Sequence, residues 1–145
     1  MLSKLKADGK TIVFTNGCFD ILHVGHIRYL QDARALGDIL VVGVNSDSSV
    51  REIKGENRPI NSEMNRVEVL SALECVDFVT VFDENLPTET ILILKPDIHI
   101  KGGDYEADDM PETPFVRSYG GKVVIIPLSE TDSVGLSTSG IIRRL

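Results

Sequence analysis

His23 and His26 stand three residues apart with Gly25 between them, in the run Asn16-Gly17-Cys18-Phe19-Asp20-Ile21-Leu22-His23-Val24-Gly25-His26. Residues at that spacing share a helical face. The first turn of a helix adds unpaired backbone N–H groups and partial positive charge, both attractive to an anion. A glycine there removes the side chain that would hold a phosphate off the backbone. Imidazoles can donate to phosphate oxygens without a change of their own charge. The chemistry these residues suit is phosphate binding. The competing readings are plain packing, or metal ligation. With three histidines in the chain and no Cys or Glu at ligand spacing, no metal site is expected.

Three further segments carry residues of the same kind. Lys54 lies in a polar stretch between Asn45-Ser46-Asp47 and Arg58-Pro59-Ile60, and Arg66 follows on a helix. On composition alone both read as solvated charges. Lys101-Gly102-Gly103-Asp104 follows a strand end; its glycines permit a ligand to approach the backbone, and its charged pair suits phosphate and sugar hydroxyls. A simple turn is the alternative. Ser137-Thr138-Ser139 opens the last apolar-periodic segment, as an N-cap, a second anion site, or both. Two familiar phosphate motifs are excluded. Gly9-Lys10-Thr11 lacks the earlier glycine of a P-loop, which would fall at Lys4, and no G-x-G-x-x-G follows the first strand. Cys18 and Cys75 form no C-x-x-C pair, and neither has the pattern of a nucleophile.

The elements that must position these residues are legible as an alternation. Thr11–Thr15 reads as a buried strand and Ile39–Val44 as a second; between them Ile27, Leu30, Ala33 and Leu36 recur at helical spacing up to Gly37. Asn61 or Ser62 caps a helix carrying Met64, Val67, Leu70 and Leu73. A third strand spans Val76–Phe82. Pro87 opens a helix over Thr88–Leu94 that Pro96 ends, and strands follow at Ile98–Ile100 and Val123–Ile126. Residues 46–60 and 102–114 are rich in Gly, Pro and charge and read as loops. The fold class expected is α/β: a Rossmann-like parallel sheet of about five strands with helices on both faces. Its ligands belong beyond the carboxyl ends of the strands.

The 145 residues suit a single domain spanning 1–145. Apolar content of 42% against 26% charged is that of a globular chain. A net charge of −7 argues against a nucleic-acid partner, because backbone binding needs a basic field. Apolar runs are far shorter than a membrane span, and the start MLSKLKADGK has no secretory h-region. With unpaired thiols, that gives the expectation of a cytoplasmic protein.

The T/N-G-x-F-D-x-x-H-x-G-H run resembles the signature of the cytidylyltransferase-like nucleotidyltransferases. Adding Asn45-Ser46-Asp47, Arg58-Pro59-Ile60 and Lys101–Asp104, the whole chain looks like the adenylyltransferase domain of the bifunctional heptose kinase/adenylyltransferases. The resemblance implies transfer of AMP from ATP to D-glycero-D-manno-heptose 1-phosphate, with Mg²⁺ bound alongside ATP. It implies His23, His26 and Lys54 as catalytic residues. It implies nucleotide contacts from Asn16, Gly17, Cys18, Phe19, Gly25, Arg66, Gly102, Asp104, Ser137, Thr138 and Ser139, and acceptor contacts from Asp20 and Lys101. A homodimer is expected on the same ground. The loop Leu128–Leu136 departs from the family, lacking the arginine of glycerol-phosphate cytidylyltransferases and running longer than in heptose adenylyltransferases. A glycerol 3-phosphate cytidylyltransferase and a non-catalytic nucleotide-binding module are the rival readings.

Overall fold

A computed structural model describes residues 1–103 and 106–127. After a short helix α1 (Leu2–Ala7) comes β1 (Ile12–Gly17), α2 (Val24–Arg34) and β2 (Ile39–Asn45). Two helices, α3 (Asp47–Lys54) and α4 (Glu63–Ser71), lead to β3 (Phe78–Phe82), then α5 (Thr88–Leu94) and β4 (Ile98–Gly102). A 3₁₀ turn (Ala107–Asp109) and α6 (Thr113–Ser118) precede β5 (Lys122–Ile126).

The five strands form one parallel sheet in the order β3-β2-β1-β4-β5. The Rossmann-like α/β expectation therefore holds. β1 is central because its residues Ile12, Val13 and Phe14 are apolar on both faces and wholly covered. Val13, Leu40, Val42, Ile98 and Ile100 pack with Leu30 and Ala33 of α2 and Leu70 of α4. Ile12, Phe14 and Val41 pack on the other face against Ile91 of α5 and Val116 of α6. The chain steps outward from β1 through β2 to β3, then returns to β1's other side with β4. That reversal opens a crevice beyond the carboxyl ends of β1 and β4, the place where open α/β sheets take ligands.

Two stretches expected as loops contain helices. Within 46–60, α3 forms because the Ser46 hydroxyl accepts from the Ser49 N–H at 3.2 Å, and Asp47 and Lys54 complement the helix dipole at its two ends. Gly55, at φ +105°, ends it. Lys54 is thus the last residue of a helix rather than a loop residue. Within 102–114 lie the 3₁₀ turn at Ala107–Asp109 and the first two residues of α6, both too short to show periodicity. α1 gave no expectation at all. On α4, Met64 is exposed although its spacing placed it in the core; the side chains turned inward are Leu70 and Arg66. Among the described residues no helix is long and apolar enough to cross a membrane.

Candidate active site

The turn after β1 is shaped by Phe19, a non-glycine residue at φ +48°. Gly17, the expected turn residue, is the last of β1; a Cβ on it would lie 3.0 Å from the Phe19 ring, so its hydrogen makes the seat for that ring. Left-handed backbone on an aromatic residue costs about 1–2 kcal/mol, which the buried surroundings of Phe19 hold in place. Beyond it, His23 is the N-cap of α2. The Gly25 N–H donates to His23 Nδ1 at 3.1 Å, and the His23 N–H donates to His26 Nδ1 at 3.2 Å. Gly25 is buried, and the two half-buried rings lie with centroids 4.0 Å apart. His26 also meets the Phe19 ring at 5.6 Å. Because each Nδ1 accepts a backbone hydrogen, each neutral ring carries its proton on Nε2. The helix N-terminus thereby holds both Nε2–H donors on adjacent rings.

Asp20 does not point outward. Its carboxylate is fully enclosed and accepts from the Ile60 and Asn61 N–H groups, both at 2.8 Å, and from Arg58 Nε at 3.3 Å. The Asn61 amide donates to the Asp20 carbonyl at 2.7 Å. Asp20 thereby ties the β1–α2 turn to residues 58–61. Arg66, 2% exposed, is no surface charge either. Its Nη1 donates to the carbonyls of Cys18 and Asn45, both at 2.7 Å, its Nε to Asn61 at 3.0 Å, and its Nη2 to the Asp47 carboxylate at 2.9 Å. Asp47 also accepts from the Glu63 N–H at 2.8 Å. In this arrangement the guanidinium joins the ends of β1 and β2 to α3 and α4.

Cations gather around this turn. Burial pushes the Cys18 thiol up, against the opposing positive charges of Lys54, Arg66 and Arg58. A raised, half-buried thiol is a poor nucleophile, in keeping with the non-catalytic reading of Cys18. Lys54 is exposed at the end of α3, within electrostatic reach of Cys18. Asn16 Oδ1 and Arg58 Nη2 are enclosed without a hydrogen-bond partner among the described residues.

At the end of β4, a Cβ on Gly102 would lie 3.0 Å from the Tyr29 ring of α2. The Tyr29 hydroxyl meets Thr15 Oγ1 at 2.6 Å and the Ile100 carbonyl at 3.3 Å, and burial pushes its pKa up to about 12. Tyr29 therefore fixes α2, with its histidines, against the ends of β1 and β4. Gly103 turns the chain at φ +123°, and its N–H bonds the Ile126 carbonyl at 3.1 Å. Lys101 is half-buried on β4. Asp104, Ser137, Thr138 and Ser139, with the Leu128–Leu136 loop and the helix expected through Leu145, lie outside the described residues.

Sequence reasoning missed a buried pair that joins β4 to the start of α6. His99 Nε2 lies 3.3 Å from Glu112 Oε2, both side chains enclosed, with the His99 ring stacked on Phe14 at 5.7 Å. A lone polar residue in Ile98-His99-Ile100 was a signal; its partner 13 residues on had none. Burial raises the Glu112 pKa, but the His99 hydrogen bond and the positive charge of Lys101 bring it below the ordinary value of 4.5. A native pKa below the unfolded one means that unfolding takes up a proton between the two values. The Glu112 contribution to stability is therefore present above pH 4.5 and lost as pH falls through the depressed native value. Melting curves of Glu112→Gln against wild type across that acid range are expected to show a shallower loss of stability in the variant.

Comparison with known proteins bears on the family and the fold. A sequence model of the cytidylyltransferase-like family matches residues 14–144. The chain belongs to that family. As a cytidylyltransferase-like protein it is a nucleotidyltransferase enzyme. It is 55% identical over 137 residues to the bifunctional protein HldE of Syntrophotalea carbinolica, covering 94% of this chain and 27% of that protein. HldE of Campylobacter fetus is 51% identical over 144 residues, 99% of this chain and 30% of that one. The chain thus spans less than a third of the curated relatives it matches. Among solved structures it is 37% identical to a lipopolysaccharide core biosynthesis protein of Thermoplasma volcanium, TM-score 0.70, covering 83% of this chain and 98% of that one. A pantoate-beta-alanine ligase of Francisella tularensis, at 16% identity and TM-score 0.63 over 99% of this chain and 69% of that one, shares the fold. In this cytidylyltransferase-like chain the expected residues at the ends of β1, β2 and β4 stand on one edge of the sheet.

Proposed function

We propose that the chain transfers AMP from ATP to D-glycero-D-manno-heptose 1-phosphate, giving ADP-heptose and pyrophosphate. The observation that carries the reading is the reciprocal capping of His23 and His26, which sets both Nε2–H donors at the α2 N-terminus beside the β1–β4 crevice. Heptose as the acceptor rests on the resemblance of the whole chain and on the HldE relatives, which match nearly all of it.

A sugar phosphate has a second pKa near about 6, so its oxygen is already anionic at neutral pH. It attacks the α-phosphorus of ATP in line, forming the new P–O bond as the bond to pyrophosphate breaks. An anionic nucleophile needs no general base, so the protein's work is positioning and charge stabilisation. His23, His26 and Lys54 stabilise the phosphoryl oxygens. The backbone of Asn16–Phe19, Gly25 and Gly102, with Asp104 and Ser137–Ser139, holds the nucleotide. Lys101 takes the acceptor's phosphate. Asp20 and Arg66 act by fixing the turn that carries the histidines. Mg²⁺ bound with ATP would offset charge on the phosphates. Among the described residues no cluster of three His, Cys, Asp or Glu offers it a cage, and no step depends on one. Pairing of two copies belongs to the same proposal and is read by sedimentation.

The test is pyrophosphate release from the purified chain, crossing ATP, CTP and GTP with heptose 1-phosphate, other sugar 1-phosphates and glycerol 3-phosphate. Turnover is expected with ATP and heptose 1-phosphate. Preference for CTP with glycerol 3-phosphate, or binding of ATP without turnover on any acceptor, would overturn the reading.

A further inference from the structure

We propose that Tyr29 is a positioning residue for the transfer: its hydroxyl and ring set the distance between the histidines of α2 and the carboxyl ends of β1 and β4, and Gly102 is a glycine to seat that ring. The inference rests on the assignment of His26 to the phosphoryl oxygens. Tyr29 lies three residues after His26, on the same face of α2. Its hydroxyl lies 2.6 Å from Thr15 Oγ1 and 3.3 Å from the Ile100 carbonyl, and Thr15 Oγ1 lies 3.1 Å from that carbonyl. Thr15 and Ile100 are paired residues of the ladder that joins β1 to β4. One α2 side chain thus grips both strands whose ends flank the crevice, two residues short of Gly17 and Gly102.

Leu30 and Ala33 hold α2 to the sheet by apolar packing, which has no preferred direction. The hydroxyl contacts are directional, so they fix the helix along the strands as well as against them. A phenol ring is flat and rigid, so whatever moves its edge moves its hydroxyl. A Cβ on Gly102 would lie 3.0 Å from Tyr29 Cε2 and 3.3 Å from Cδ2, and the ring would have to give by a few tenths of an ångström. With glycine there, the ring lies against the β4 backbone while its hydroxyl reaches the Thr15–Ile100 rung. A donor displaced from a charged transition state costs rate rather than ground-state affinity.

Tyr29→Phe keeps the ring in its seat and drops the hydroxyl. In pyrophosphate release by the purified chain with ATP and the sugar 1-phosphate, its kcat is expected to fall about tenfold, with KM for both substrates within about twofold. Thr15→Val, which removes the other hydroxyl, is expected to match it, and Thr15→Ser to stay near wild type. In a His26→Asn background, where the amide oxygen can take the His23 N–H that Nδ1 takes now, Tyr29→Phe is expected to add less than about twofold, since the imidazole it places is gone. Gly102→Ala is expected to lower kcat about tenfold in the wild type, and to add nothing once Tyr29→Leu has removed the ring edge. Unchanged kcat in Tyr29→Phe overturns the inference. So does an equal loss with and without His26, which a purely structural role gives. An equal loss from Gly102→Ala in both backgrounds overturns it too, because the glycine then serves the ligand alone. Should Tyr29→Phe fail to fold, Thr15→Val carries the same cycle. His26→Asn at wild-type kcat would instead strike the role of His26, and a wild-type chain without turnover on any acceptor strikes the proposed function.

Discussion

Replacing His26 or His23 by alanine is expected to lower kcat by about 10²–10³, because each removes a donor worth about 3–4 kcal/mol to a charged transition state. The same substitutions also strip α2 of its reciprocal cap, at about 1 kcal/mol, so alanine alone confounds two losses. His23→Asn separates them. Asparagine is among the best N-caps, and its oxygen can accept the Gly25 N–H that His23 Nδ1 accepts now. It has nothing at the place of Nε2–H. Thermal midpoints near wild type with kcat still down by two orders of magnitude would assign the imidazole to chemistry. Wild-type turnover in His23→Asn would reduce His23 to a capping residue, and the proposed transfer would then rest on His26 and the lysines.

Arg66→Ala is expected to be the most destabilising single change in the described structure, at about 3–5 kcal/mol. The guanidinium bonds the carbonyls of Cys18, Asn45 and Asn61 and the Asp47 carboxylate from a position with no exposed side-chain surface. Removing it takes a donor from each of those carbonyls and the counter-charge from Asp47. For a chain of this size the loss corresponds to a melting shift of about 10–20 °C. Arg66→Lys is expected to fare little better, since one ammonium cannot span the four directions of a planar fork. Calorimetry of the two variants checks this. A shift of a degree or two in either would mean that water or a rearranged loop replaces the arginine at little cost.

The alternation of strands and helices was legible because β1 and β2 are continuous apolar runs, mostly β-branched and buried from both sides. Ser62, Pro87 and Pro96 marked helix ends by local chemistry that needs no tertiary help. What stayed hidden was non-local. α3 turns only Ser49 and Val50 fully inward, and its other residues are those of a loop. Met64 and Arg66 exchanged their expected environments because a buried cation is decided by partners up to 48 residues away. At the site, the residue types and the edge of the sheet were readable from spacing, but the tautomers were not. Nor was the fact that Asp20 faces inward: a carboxylate in a phosphate turn looks the same in sequence whether it meets a sugar or the chain's own amides.

The inward-facing Asp20 has a dynamic corollary. Residues 58–61 carry no regular secondary structure, yet the amides of Ile60 and Asn61 end on a carboxylate with no surface exposure. They are shielded as strand amides are, and meet solvent only when the tie between this loop and the histidine-bearing turn opens. Arg66 extends that dependence to the first turns of both helices that follow β2. These segments are expected to open as one cooperative unit, so a fluctuation that loosens the loop would also disperse the proposed phosphate donors. The edge that carries the histidines would then be either assembled or open, with little in between.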